Sequence, residues 1–163
     1  MIAAIPSLRA FAVSLSGNAD RADDLVQETL VKAWANLGSF QAGTNLSAWL
    51  FTILRNVYYS EYRKRRREVA DSDGIFAAQL IEPAAQDDHM HFLDFRAAMQ
   101  KLPPDQREAI ILVGASGLSY EEAAAVCSCA VGTMKSRVNR GRNKLGELLA
   151  ANPSPEKVEP PEK

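Results

Sequence analysis

Apolar residues along this chain of 163 residues recur mainly at intervals of three and four, the spacing that places them on one face of an α-helix. In the first third of the chain this spacing predicts three helices, at about 5–16, 20–37 and 46–66. Gly17 and Asn18 are expected to end the first helix, and Asn45 to cap the third. No segment shows sustained alternation with a period of two. The pattern therefore predicts an all-α protein.

The same spacing predicts which side chains of the three helices face the core. These are Leu8, Phe11, Ala12 and Leu15 in the first, Ala22, Val26, Thr29, Ala33 and Leu37 in the second, and Trp49, Leu50, Ile53, Leu54 and Val57 in the third.

Residues 118–145 contain two short helical patterns joined by a tight turn. Ser119 and Glu122 have the spacing of a capping box at the start of the first. The buried stripe of the second is predicted to consist of Val131, Met134, Val138, Gly141, Leu145 and Leu148. Its opposite face carries hydroxyl, amide and cationic side chains, as contacts to base edges and phosphates require. The layout predicts a helix-turn-helix whose second helix enters the DNA major groove, against the alternative of a solvated amphipathic helix.

The third helix carries a second signal for nucleic acid. It ends in five consecutive cations, Arg63, Lys64, Arg65, Arg66 and Arg67. Tyr58, Tyr59 and Tyr62 precede them, and cations beside aromatic rings suit single-stranded or distorted nucleic acid. The alternatives are a solvated helix end, which also suits the helix dipole, and tyrosines that only fill the core.

The charge distribution divides the chain. Residues 1–67 carry 9 basic and 5 acidic side chains, residues 68–91 carry 6 acids and no base, and residues 92–149 carry 8 bases and 6 acids. We predict two small helical domains, 1–67 and 92–150, joined by a flexible acidic linker, 68–91, with a possible short helix at Ile75–Leu80. The proline-containing tail 151–163 is expected to be disordered.

The composition argues against several other classes. No apolar run is long enough to span a membrane, and the mildly apolar start lacks a basic leader, so it is interpreted as a first helix rather than a signal peptide. Two closely spaced cysteines do not make a disulfide framework, so a reducing cytoplasm is expected. No nucleophile triad, phosphate loop or carboxylate pair indicates an enzyme, a cofactor or a small-molecule substrate. Cys127 and Cys129 with His89 and His91 could in principle bind zinc, but the tight C-x-C spacing favours packing in the helix-turn-helix turn, and we expect no metal.

Three segments resemble a known family: DDLVQETLVKAWANLGSF and NLSAWLFTILRNVYYSEYRKRRRE in the first half, and LPPDQREAIILVGASGLSYEEAAAVCSCAVGTMKSRVNRGRNKL in the second. They are similar to regions 2 and 4 of the extracytoplasmic-function (ECF) sigma factors, which direct RNA polymerase to promoters. SLRAFAVSLSGN and LVGASGLSYEEAAAVCSCAVGTMKSRVNR further resemble the general stress response (EcfG-like) subgroup.

The resemblance implies roles for particular residues. Asp24, Gln27 and Glu28 match the positions that contact core RNA polymerase. Phe40 and Asn56, with the cations 63–67, match the surface that melts and reads the -10 element. The −35 element would be read through Lys135, Ser136, Asn139 and Arg140, with Thr133 and Arg137 on phosphates.

The subgroup also implies a GGAAC-like −35 element and a small NepR-type anti-sigma factor that holds the protein inactive. Two alternatives remain open at this point. One is a sigma-like decoy that binds the anti-sigma factor without reading promoters, and the other is a simple helix-turn-helix repressor. The cations at 63–67 argue against the decoy, and the Asp24 helix face argues against the repressor.

Overall fold

The computed structural model describes the backbone of residues 1–70 and 87–151, and the side chains of residues 1–67 and 93–151. Every regular element in these ranges is helical, which confirms the predicted all-α class. The helices are α1 (Ile5–Ser16), α2 (Ala19–Ala35), α3 (Leu46–Ala70), α4 (Asp87–Gln100), α5 (Pro104–Ile110), α6 (Tyr120–Cys127) and α7 (Val131–Ala150).

The first three helices form one bundle, and local backbone interactions set where its first two helices end and begin. Gly17 ends α1 in the left-handed region, at φ 70°, where a residue without a Cβ carries no steric penalty. Asn18 then caps α2, its side-chain oxygen accepting from the backbone N–H of Arg21 at 2.9 Å. Phe11 of α1 meets Phe51 of α3 edge to face, with ring centroids 5.3 Å apart, in the centre of the bundle.

The end of α2 differs from the prediction. Helical geometry stops at Asn36, whose side-chain amide donates to the carbonyl of Lys32 at 2.8 Å. Leu37 therefore lies in a short 3₁₀ turn (Leu37–Ser39) and is 45 % exposed. The expectation that Leu37 faces the core was wrong, because it rested on helical spacing and α2 ends two residues earlier, at Ala35.

The remaining helices form the second bundle and contain the predicted helix-turn-helix. Ser119 and Glu122 make the expected capping box, each side chain accepting from the backbone N–H of the other. Ser128 turns the chain between α6 and α7 in the left-handed conformation, at φ 52°. A single π-helical turn (Ile111–Ala115) follows α5 and leads through Gly117 into α6.

Gly141 sets how closely α7 approaches α5. A Cβ at this position would lie 2.7 Å from Cδ1 of Ile110 and 3.3 Å from Cβ of Gln106. Of the predicted α7 stripe, Met134, Val138 and Gly141 are buried, and Val131, Leu145 and Leu148 are partly buried.

Helices extend into both ends of the predicted linker, since α3 runs to Ala70 and α4 starts at Asp87. The rest of the linker, including the predicted helix at Ile75–Leu80, lies outside the described residues, as does the tail from residue 152.

The two bundles pack against each other. Helix α3 lies on α6, and α1 lies on α5. Buried side chains of both bundles form one continuous apolar cluster, from Leu8 in α1 to Val138 in α7. Polar contacts cross the same seam: the Arg107 guanidinium donates to the carbonyl of Ser14 at 2.7 Å, and the Asn45 amide donates to Glu122 at 2.8 Å.

Candidate polymerase and nucleic-acid interfaces

One face of α2 presents the three residues predicted to contact polymerase. Asp24 and Gln27 are exposed, and Glu28 is half-buried in an ion pair with Lys32, at 2.7 Å. Positions 24, 27 and 28 share a face because three- and four-residue steps return to the same side of a helix. The structure therefore brings these residues together on the bundle surface.

An apolar patch continues this face toward the end of α2. Val31 and Trp34 are 68 % and 74 % exposed, and Ile2 beside them is 83 % exposed. With Met1, Ala3, Ile5 and Leu30, these side chains line an open groove between α2 and the start of the chain. An exposed tryptophan in an apolar groove is typical of a protein-binding surface. Sequence reasoning missed this surface, because the groove is formed by residues that are about 30 positions apart.

A second groove lies between the end of α2 and α3, and it contains Asn56 and Arg63. It has a volume of about 490 Å³. Its polar lining comes from Lys32, Asn36, Ser39, Asn56, Ser60 and Arg63, and its floor from Trp49, Ile53 and Val57. Asn56 is exposed, so its amide is available to a ligand. Lys32, Asn36, Ser39 and Ser60 were not predicted for this site, since only the packing of α2 on α3 brings them beside Asn56.

Phe40 joins this groove through a ring contact. Its centroid lies 5.3 Å from that of Trp49, which lines the groove. The loop from Phe40 to α3 is shaped by the Thr44 hydroxyl, which donates to the carbonyl of Gln41 at 2.7 Å. Asn45 caps α3 as predicted, accepting from the backbone N–H groups of Ser47 and Ala48 at 2.9 and 3.3 Å.

The cations at the end of α3 are all exposed from Arg63 to Arg67. Arg65 lies 3.9 Å from Glu61, which also pairs with Arg21 at 3.2 Å. Arg63 points into the groove with Asn56, whereas the other four extend the positive surface beyond it. Such a row of exposed charges attracts a phosphate backbone without reading its sequence.

Helix α7 presents the residues predicted for the −35 element on its outer side. Thr133, Lys135, Asn139 and Arg140 are exposed, and Ser136 is half-buried. Lys135 lies over the ring of Tyr120, 5.7 Å from its centroid. The arrangement is that of a recognition helix supported by a capped preceding helix.

Arg137 lies differently from its neighbours. It is half-buried and pairs with Asp105 of α5 at 3.2 Å. Its role as a phosphate contact remains a prediction, and a phosphate would compete with this carboxylate for the guanidinium.

The zinc alternative receives no support from Cys127. Its thiol is buried, and burial together with the nearby Glu108 carboxylate raises its pKa to about 12. The thiol packs inside the fold, 3.7 Å from a Glu108 carboxylate oxygen, as the packing alternative predicts. The side chains of His89 and His91 lie outside the described residues.

Within the part of the chain that the structure describes, no helix is both long and apolar enough to cross a membrane.

Family models match both halves of the chain. Residues 2–68 match sigma-70 region 2, and residues 92–145 match sigma-70 region 4. The chain is 69 % identical over 149 residues to the ECF RNA polymerase sigma factor EcfG of Rhodopseudomonas palustris, covering 91 % of this chain and 82 % of that protein.

Solved structures give the same result. The sigma factor RpoE of Bartonella quintana, in complex with the anti-sigma factor NepR, is 58 % identical with a TM-score of 0.84, over 93 % of this chain and 94 % of that one. The anti-anti-sigma factor PhyR of the same organism, also complexed with NepR, is 16 % identical with a TM-score of 0.55, over 88 % of this chain and 46 % of that one. At that identity the PhyR match shows a shared fold and nothing more.

Regions 2 and 4 in one chain define a protein of the sigma-70 class. Within that class, the chain belongs to the ECF RNA polymerase sigma factors. It is a transcription initiation factor and not an enzyme.

Proposed function

We propose that this chain directs core RNA polymerase to promoters of the general stress response, and that a small anti-sigma factor holds it inactive in the cytoplasm. The observation that carries the proposal is the presence of three separate exposed surfaces on one chain. These are the α2 face with its apolar groove, the Asn56 groove with the cationic end of α3, and the outer side of α7.

The α2 face would bind polymerase through both of its parts. Asp24, Gln27 and Glu28 supply polar and anionic contacts, and Val31 and Trp34 supply apolar area beside them. A partner helix with apolar residues along one face and basic residues at its border would match this surface.

The Asn56 groove would hold an unpaired base of the −10 element. Extracting a base from the duplex costs a few kcal/mol, so the groove must return that energy through hydrogen bonds and stacking. Asn56 offers both a donor and an acceptor to a base edge, and Phe40 with Trp49 offers aromatic surface. The five cations would hold the adjacent backbone.

Helix α7 would read the −35 element. Asn139 and Arg140 can make paired hydrogen bonds to base edges in the major groove, and Lys135, Ser136, Thr133 and Arg137 lie where base or phosphate contacts occur. A repressor would need this helix alone, and would leave the other two surfaces without a use.

A sigma-like decoy would need the anti-sigma surface but no promoter contacts. The exposed cations 63–67 and the exposed polar side of α7 favour the promoter-reading function. The similarity of this chain to a relative named as a sigma factor, at 69 % identity, favours it as well.

Binding to core polymerase tests the first step of the proposal. The double substitution Gln27→Ala and Glu28→Ala should weaken binding to core polymerase in a pull-down titration without loss of helicity. Exposed substitutions of this kind change stability by less than about 0.5 kcal/mol. Glu147→Ala is the matched control, because it removes an exposed acid that pairs with a lysine, as Glu28 does, but that lies on α7. Equal affinities for the wild type and the double variant would refute the assignment of this face.

A further inference from the structure

Glu108 lies at the seam between the two bundles and is only 1 % exposed. It belongs to α5 in the second bundle, yet two of its partners come from α3 in the first. Arg55 donates from Nε to one carboxylate oxygen at 3.1 Å, and the Tyr59 hydroxyl donates to the other. The Cys127 thiol, on the same side of the seam as Glu108, lies 3.7 Å from the oxygen that Arg55 contacts.

Arg55 and Tyr59 are themselves held in place. The Arg55 guanidinium lies over the Tyr59 ring, 4.7 Å from its centroid. Burial, followed by the hydrogen bond to Glu108, raises the pKa of Tyr59, so its phenol remains protonated and donates. The pKa of Arg55 is raised by Glu108 although its burial opposes this. The three side chains therefore satisfy one another only while the two bundles remain in this arrangement.

The apolar seam and this polar cluster have different effects on the closed arrangement. Apolar burial drives the bundles together but tolerates sliding. A buried carboxylate does not tolerate sliding, because a displacement that removes its hydrogen-bond donors leaves the charge with neither water nor a partner. When the bundles separate, water can solvate all three groups. Removing one member therefore penalises the closed arrangement and leaves the open arrangement nearly unaffected.

The boundary between the bundles is not closed by packing along its whole length. A partly open cleft of about 220 Å³ lies along it, lined by Ser14 and Tyr58 of the first bundle and by Pro104 and Arg107 of the second, among others.

The closed arrangement is too small to read a whole promoter. Elements centred near −10 and −35 lie roughly 20 base pairs or more apart, which is about 70 Å at 3.4 Å per base pair. A compact protein of this size has a radius of gyration of only about 15 Å. In addition, Asn45, which begins α3 beside the −10 loop, is tied to Glu122 of the helix-turn-helix. The two DNA surfaces cannot act on one promoter until the seam opens.

We propose that Glu108, Arg55 and Tyr59 form an interdomain latch that keeps the free chain closed, in a state unable to engage both promoter elements. The consequence for promoters rests on the proposed function, whereas the latch itself does not. Any partner that binds across both bundles would select the closed state, and core polymerase with promoter DNA would select the open one. The chain would then carry its own inhibitory equilibrium before any partner binds.

Small-angle X-ray scattering of the free, full-length chain tests the latch directly. The wild type should give a compact scattering profile. Glu108→Gln and, separately, Tyr59→Phe should increase the radius of gyration, with the ratio of closed to open molecules falling by roughly tenfold or more for Glu108→Gln. Glu61→Gln is the matched control, because it makes the same change in an ion pair that lies within the first bundle. Far-UV circular dichroism verifies that each variant remains folded.

Replacing the whole cluster by apolar side chains provides a second test. Arg55→Met, Tyr59→Phe and Glu108→Leu together remove the buried carboxylate and both of its donors from α3, so this triple variant should return to the compact profile. If Glu108→Gln fails to fold, Tyr59→Phe and the triple variant decide the question.

Two results would overturn the latch. One is a wild-type chain that is as expanded as Glu108→Gln, and the other is a Glu108→Gln chain that is as compact as the wild type. Transcription by the wild type with core polymerase is measured separately. If Glu108→Gln opens the chain but the wild type supports no transcription, the latch proposal stands and the proposed function is refuted.

Discussion

The side chains that we propose to contact the promoter lie on two bundles, and they differ in how far the sequence alone identifies them. The cations 63–67 and the amides of α7 could be predicted because exposed chemistry at helical spacing is visible in the chain itself. Glu108 could not, because it follows Asp105, Gln106 and Arg107 in a polar segment typical of a solvated helix, and nothing in that segment indicates the partners that tertiary packing supplies from positions 55 and 59.

Asn56 and Asn139 should have separable effects on transcription. Asn56→Ala should leave binding to a −35 duplex intact and reduce open-complex formation, because lost hydrogen bonds to a buried base edge cost roughly 1–3 kcal/mol. Asn139→Ala, the same change on α7, should weaken −35 binding and leave melting of a pre-bound fork template unchanged. Duplex binding and permanganate footprinting of both variants provide the check. Normal opening with unaltered base preference in Asn56→Ala would remove Asn56 from the site.

Arg140 and Arg137 test the division between base and phosphate contacts. Arg140→Ala should cost on the order of 1–3 kcal/mol on the matching −35 duplex and relax preference at one position. Arg137→Ala should weaken matched and scrambled duplexes about equally and lower the salt slope by about one. Because Arg137 also pairs with Asp105, its variant is compared with Asp105→Asn, which breaks the pair but keeps the cation. Equal losses on matched and scrambled DNA for both arginine variants would contradict the division.

The helices themselves were largely predictable, since capping residues and apolar spacing act locally. The bounds of α1, the caps at Asn45 and Ser119, and the buried stripe of α7 all follow from such signals. The prediction for Leu37 was wrong because the helix ends before it, at the C-cap residue Asn36, whose side-chain amide donates to the carbonyl of Lys32. The spacing of apolar residues contains no information on where a side chain ends the helix in this way. The separate helices α4 and α5, divided at Pro103 and Pro104, position the helix-turn-helix but carry no chemistry that marks them.

Gly141 should be required for the packing of α7 on α5. Gly141→Ala should destabilise the protein by about 1–2 kcal/mol, because the new methyl group would clash with Ile110 and Gln106. The free-energy cost of this clash exceeds the gain in helix propensity. Gly146→Ala, in the same helix with open space around it, should instead stabilise by about 0.5–1 kcal/mol. Chemical denaturation of the two variants measures the change in the free energy of unfolding, which should have opposite signs. Stabilisation by Gly141→Ala would show that the helices can move apart at little cost.

The capping box should make stability depend on pH through Glu122. Hydrogen bonds from the Ser119 backbone and the Asn45 amide hold the pKa of Glu122 below its ordinary value of 4.5. A lowered folded-state pKa means that the contribution is complete above about pH 4.5 and is lost as the pH falls through the folded value. Glu122→Gln should therefore be less stable than the wild type at neutral pH, and the difference should shrink below about pH 4. A constant difference from pH 7 to pH 3 would exclude a role for the charge.

At the scale of the whole molecule, the order of a region 2 unit and a region 4 unit along the chain was predictable from charge blocks and motifs. The relation between the units was not. The seam depends on apolar side chains of α1, α3, α5 and α6 that each bundle also uses for its own packing, so the sequence pattern cannot distinguish core from interface. In the closed arrangement, the proposed latch would keep the two proposed promoter surfaces of one short chain from acting together.

Transcription in vitro tests the central claim most directly. Core polymerase is supplied with a linear template that carries a GGAAC-like −35 element, with and without this chain, and permanganate reactivity around −10 is read together with the transcript. The account predicts a transcript and reactive −10 thymines only when the chain is present, and loss of both with the Gln27→Ala and Glu28→Ala double variant. A chain that binds the −35 duplex but produces neither reactive −10 thymines nor a transcript would contradict the account.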